Sequence, residues 1–99
     1  MNYDVKALVK NLRQSKTPFA TGYRPAFQMR EDYCSTGEIT LIDVSMLHFN
    51  DIAEAFIRFL TPDVYPHSLW EGKKICFMEG KTITGEAIIK EIYTPILKR

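Results

Sequence analysis

Residues 74–93 read KICFMEGKTITGEAIIKEIY. Two β-rich runs, Lys74–Met78 and Thr82–Tyr93, flank Glu79-Gly80-Lys81. Short apolar runs around a glycine-containing loop predict a β-hairpin with Gly80 at its tip. Upstream, EITLIDV (Glu38–Val44) places Ile39 and Leu41 on one face and Glu38 and Thr40 on the other, which is the period of a strand. Phe27 and Met29 alternate with Gln28 and Arg30 in the same way. Pro18, Pro25, Pro62, Pro66 and Pro95 fall where a helix could not continue.

Two segments admit two readings. Val5, Leu8, Val9 and Leu12 recur at helical spacing, and so do Ile52, Ala55, Phe56 and Phe59 after Asn50, a residue suited to an N-cap. The second segment also fits a strand, with Ala53, Ala55, Ile57 and Phe59 opposite Glu54 and Arg58. Local pattern alone therefore gives α+β.

Composition bounds the function classes. The 99 residues carry 13 Lys plus Arg against 12 Asp plus Glu, a formal net charge of +1, which excludes a binder driven mainly by a large cationic excess. With 45% hydrophobic and 25% charged residues the chain can bury a core, and its length suits one domain over 1–99. Cys34 and Cys76 allow one disulfide at most, so they read as reduced thiols. The start MNYDVKALVK lacks a cleavable apolar segment, and no run reaches the about 20 apolar residues of a membrane span, so the expected location is the cytoplasm, without membrane attachment. Charge is uneven along the chain: residues 1–30 hold six cations against Asp4 alone.

TPFATGYRPAF (Thr17–Phe27) resembles the C-terminal, third domain of bacterial elongation factor Tu, in which Thr-Pro-Phe, Gly-Tyr-Arg-Pro and Phe follow in the same order. The resemblance continues through STGEITL (Ser35–Leu41), VSML with the later Asn50-Asp51, the run closed by Pro62, and EGKTITGEAII (Glu79–Ile89), with an apparent insertion over Tyr65–Glu71. It implies an all-β fold, a six-stranded antiparallel β-barrel, and so converts Val5–Val9 and Ala53–Phe59 from helix to strand. On this reading Gly22 and Gly37 permit turns, and Asn50 takes the left-handed backbone that a glycine would otherwise supply. Gly85 is expected where a side chain would crowd a neighbour or the strand must bend.

The chemistry the sequence offers is sparse. It lacks the G-x-x-x-x-G-K-[ST] loop, so this chain is not expected to bind GTP, and no cofactor is implied. Cys34, Cys76, His48 and His67 match no metal-ligand spacing, and neither cysteine precedes a helix start that would activate it. Cys76 between Ile75 and Phe77 reads as a small apolar filler. Asp43, Asp51, Glu54 and Asp63 read as solvated surface. No enzymatic activity is expected.

The resemblance implies two binding surfaces. The first touches the T arm of aminoacyl-tRNA, and its positions fall here on Arg13-Gln14-Ser15-Lys16, Thr36 and Gly80, with Lys81 adding a cation. The arginine of the family's first stretch is Ser15 here and its glycines are Arg13 and Gln14, while Thr61 stands where some members place a basic residue, which weakens phosphate contact. The second surface faces the GTPase domain; Ala26 stands where the family has glutamine, and Cys76 lies on the neighbouring strand. Tyr65 and Trp70 in YPHSLWE (Tyr65–Glu71) are further candidate anchors, or members of a loop folded over the barrel end. The expected function is a free-standing, non-enzymatic protein-binding module associated with translation, with an unknown protein partner. The alternative is a weak binder of tRNA or other RNA through Arg13, Lys16, Thr36, Gly80 and Lys81.

Overall fold

Alternation of inward and outward side chains, interrupted at bulges, sets the architecture. The computed structural model describes residues 3–99; the reading of one domain over 1–99 includes residues 1 and 2, which lie outside the described residues. The strands are β1 (Val5–Asn11), β2 (Phe19–Ala20), β3 (Ala26–Arg30), β4 (Tyr33–Leu41), β5 (Met46–Leu47), β6 (Ile52–Phe59), β7 (Lys74–Glu79) and β8 (Thr82–Ile92). Six of them close an antiparallel barrel in the order β1-β6-β4-β3-β7-β8, and β2 pairs with β5 as a separate ribbon. The fold is therefore all-β, a closed six-stranded antiparallel barrel.

β1 and β6 are strands despite their helical spacing. Val5, Ala7, Val9 and Asn11 point inward from β1, and Ala55, Ile57 and Phe59 from β6. Leu8, which completed the helical pattern, faces outward between Glu54 and Ile88. Phe56 also faces outward, stacked on Tyr3 with ring centroids 4.7 Å apart. Apolar residues on the outer face had supplied the false helical period, and pairing on both edges of each strand overrides it.

A barrel of this size is filled by its own side chains, so small and large residues must complement one another across the interior. Ala7, Ala55 and Ala87 line one side, and Phe27, Met29 and Phe77 fill from β3 and β7. The Phe27 ring meets Phe59 edge-on and Phe77 at a tilt, with centroids 5.4 Å apart in both pairs. Gly37, to which the sequence reading gives a turn, instead lies within β4 opposite Phe59, where a Cβ would stand 2.7 Å from the Phe27 ring. Gly85 meets its expectation: a Cβ there would overlap the Phe77 ring and stand 2.5 Å from the Lys10 carbonyl oxygen. A bulge opposite Phe77 and Met78 also turns Thr84 inward, so Thr84 and Gly85 are buried consecutively. Gly80 begins the two-residue hairpin loop with φ +63°, and Asn50 adopts φ +68° as expected.

The wall is unevenly sewn. β1 pairs with β6 over six residues of its length, whereas the β3–β7 register runs only through Ala26–Met78 and Phe27–Phe77. Beyond it, Lys73 Nζ bridges the gap by donating to the Met29 carbonyl at 3.4 Å and the Ser68 carbonyl at 2.6 Å. The ends of the wall are tied by Asp4, buried, whose carboxylate accepts the Phe59 N–H at 2.7 Å and the Thr94 hydroxyl.

Two glycine substitutions separate crowding from backbone strain. Gly85→Ala is expected to lower stability by about 2 kcal/mol or more, because one added carbon must displace a packed ring or a backbone carbonyl. Gly80→Val should lower it by about 1 kcal/mol or more, since a β-branched residue resists the left-handed region. Urea unfolding of both variants measures this, and unchanged midpoints would contradict the packing described.

Candidate interaction surfaces

The hairpin end of the barrel is organised by Asn11. This fully buried amide donates from Nδ2 to the carbonyls of Thr17 and Leu47, each at 2.9 Å, and its Oδ1 accepts the Arg13 N–H at 2.9 Å. The loop after β1 is thereby shaped to lay Arg13 against the β7–β8 hairpin. Arg13 Nε and Nη2 each lie 3.0 Å from Glu79 Oε2, and Nη1 donates to the Pro18 carbonyl at 2.9 Å. The guanidinium sits 4.8 Å from the Tyr23 ring centroid, and the Tyr23 hydroxyl donates to the same Glu79 oxygen at 2.5 Å. Thr84 Oγ1 lies 2.8 Å from that hydroxyl.

Arg13, Tyr23 and Glu79 form one charge-assisted cluster. The Tyr23 hydrogen bond, with Arg13 beside it, holds the Glu79 carboxyl below its ordinary value of 4.5, although partial burial works the other way. Burial, and then the neighbouring Glu79, push the Tyr23 phenol up. Arg13 is thus committed to the fold rather than extended to solvent. Lys16 and Lys81 are exposed, and among the described residues neither makes an ion pair. Lys16 adopts φ +60° and its ammonium lies 5.8 Å from the Phe49 ring centroid.

Thr36 stands at the β4 end of a row that runs across the wall toward the β7–β8 hairpin. Its β4 position pairs with Ala26 on β3, which pairs in turn with Met78 on β7, and Met78 pairs with Ile83 on β8. This row crosses the outside of the wall, with Ala26 and Met78 half-buried and Ile83 exposed. Cys76, expected as an apolar filler, is half-buried on the outward side of β7 between the inward Ile75 and Phe77. The row therefore unites Thr36 with Ala26, and Cys76 faces the same way from β7.

The segment Tyr65–Glu71 folds down onto the barrel end. Tyr65 is buried and donates to the Cys34 carbonyl at 3.0 Å, so its ring belongs to the interior. Leu69 is buried beneath the chain end, giving its N–H to the Leu97 carbonyl and accepting from Arg99 N–H. Trp70 is 40% exposed, with Lys73 Nζ 4.5 Å and Arg99 Cζ 4.8 Å from the ring centroid. Cations on the aromatic ring already use much of what an anchor would offer a partner. Burial, with Arg30 adding repulsion, pushes the Lys73 ammonium down from its ordinary value.

Among the described residues no three His, Cys, Asp or Glu side chains gather to hold a metal ion, and no helix is long and apolar enough to cross a membrane. Neither a protein-family model nor a curated protein matches the chain. The Glu79 cluster and the Asn11 anchor have no complete local signature: Asn11 bonds nearby Arg13 and Thr17, but Leu47 lies 36 residues from it and Glu79 lies 66 from Arg13, and only barrel closure brings those together.

The Glu79 cluster gives a pH signature. Its carboxyl is depressed in the folded protein, so its stabilising contribution is present above pH 4.5 and is lost as pH falls through the folded-state value. Thermal melts of the wild type and Glu79→Gln should differ at neutral pH, and the difference should shrink as pH falls below 4.5 and vanish below the depressed folded-state value. A constant difference across that range would show that Glu79 ionisation is not what holds the hairpin to Arg13.

Proposed function

We propose that this protein is a non-enzymatic protein-binding module that acts in the cytoplasm in translation or its regulation, and that its barrel is of the kind found as the third domain of elongation factor Tu. The observation that carries the reading is the outer surface of β4, β3 and β7. Ala26 and Met78 lie side by side there, with Cys76 on the same side of β7, and together they make a half-buried, weakly polar strip. Interfaces place such residues at their centre and charges at their rim. The motif GYRPAF carries Ala26 to this strip, and a protein contact there is what the resemblance implies.

A second reading, RNA binding, is favoured by Lys16 and Lys81, which among the described residues make no ion pair and adjoin in sequence a groove lined by Arg13, Gln14, Ser15, Thr17, Glu79, Thr82 and Thr84. Arg13, committed to Glu79, is lost to that surface as a free phosphate donor. Two lysines offer at most about two phosphate contacts and a correspondingly shallow salt dependence.

Capture from lysate with and without ribonuclease separates the readings when run on Ala26→Asp/Cys76→Asp and on Lys16→Ala/Lys81→Ala. The expected result is a ribonuclease-resistant partner that is lost with the first pair and kept with the second. A ribonuclease-sensitive partner lost with the lysine pair would replace the protein-binding reading with the RNA one.

A further inference from the structure

At one end of the Ala26 row, Thr36 also lines a groove of about 270 Å³ on the outside of the barrel, walled by Gly37, Phe59 and Leu60. Two arginines flank it. Arg24 Nη2 and Nε lie 2.8 and 3.0 Å from Glu38 Oε2, and Arg58 Nη2 lies 3.3 Å from Glu38 Oε1. The β4–β6 register sets Glu38 opposite Arg58, and Arg24 enters from the turn before β3. One carboxylate therefore serves two guanidiniums, leaving the groove with a net single positive charge.

The guanidiniums are not consumed by this arrangement. Each carries five N–H donors; Glu38 engages two on Arg24 and one on Arg58. Both side chains are open to solvent, at 66% and 51% exposure, whereas Glu38 is at 25%. Beside them Leu60 is 76% exposed, an apolar ledge open to solvent. A groove with one surplus positive charge, spare planar donors and an apolar ledge is complementary to one carboxylate next to an apolar side chain.

We propose that this groove is the recognition pocket of the protein interface and takes an aspartate or glutamate side chain of the partner, with an apolar partner residue on Leu60. The proposal rests on the protein-binding reading and gives the partner its chemistry: an acidic, apolar-flanked segment. Glu38 between the arginines disfavours a run of phosphates, because it repels every charge after the first. The apolar walls point the same way.

The test is selection of random dodecapeptides displayed on phage against the folded full chain, followed by affinity measurements with the synthetic peptides recovered. Recovered peptides should pair Asp or Glu with Leu, Ile, Val or Phe. Exchanging that acid for its amide should weaken binding about tenfold or more, an effect on the peptide that does not depend on how any protein variant folds. Arg24→Gln/Arg58→Gln should weaken binding by a similar factor, and Glu38→Gln should tighten it, because removing the internal competitor frees both guanidiniums. A merely structural role for the trio would make Glu38→Gln weaken binding instead.

Failure takes distinguishable forms. Peptides indifferent to the arginine pair but lost on Ala26→Asp/Cys76→Asp would overturn the pocket and leave the protein-binding face standing. Peptides indifferent to both pairs would overturn both. Recovery of no peptide, or of peptides without acids, overturns the pocket, as does arginine-dependent binding of poly(U) in place of peptide.

Discussion

A closed wall of six short strands encloses a fixed space, and the ring of Phe77 occupies the part of it that any side chain at position 85 would need. Much else follows from that exclusion. Gly85 lets β8 approach β1 and β7 with the ring between them, the adjacent bulge turns Thr84 inward, and Thr84 supplies a partner for the Tyr23 hydroxyl. Phe27 makes the same demand on Gly37 from the other direction, and the two rings meet at the centre. Aromatic bulk on β3 and β7 is accommodated by glycine and alanine on β4, β1, β6 and β8. Close packing of this kind fixes the register of several strands at once, because slipping any one of them by a residue would drive a ring into backbone.

Some of this was readable in the chain and some was not. The β7–β8 hairpin announces itself by a glycine between two apolar runs, since local turn chemistry is written in neighbouring residues. The barrel itself was reached through the resemblance of GYRPAF and EGKTITGEAII to a known domain; periodicity alone left β1 and β6 open to helix, because Leu8 and Phe56 cover the outside of the wall rather than its interior. Gly37 was misplaced in a turn for a related reason. A glycine that removes bulk and a glycine that supplies a left-handed bend look identical in sequence.

The candidate surfaces were legible only in outline. Ala26 and Cys76 do share an outward face, but Tyr65 is spent in the interior and Trp70 has cations on its ring. Arg13 reads as a loose cation in the sequence and is the most heavily bonded arginine of the hairpin end in the structure. The Arg24–Glu38–Arg58 trio has no local signature at all, because its members come from three separate segments: register sets Glu38 opposite Arg58, and Arg24 enters from the turn before β3. Charge patterning along a chain counts the ions; closure of the barrel decides which of them neutralise one another and which remain available.

The short seam between β3 and β7 bears on how this molecule moves. Where two strands share only two residue pairs, the cost of local separation is lower than along a fully paired edge, and amide exchange in β3 has its easiest route there. Lys73, a single ammonium reaching across to Met29, is the clasp that limits this breathing. Ala26 and Met78 sit directly on the two sides of the seam. Anything lying across them holds both strands together, so occupancy of that face and rigidity of the barrel wall are thermodynamically linked: a bound partner damps the opening, and a barrel that opens readily binds less well.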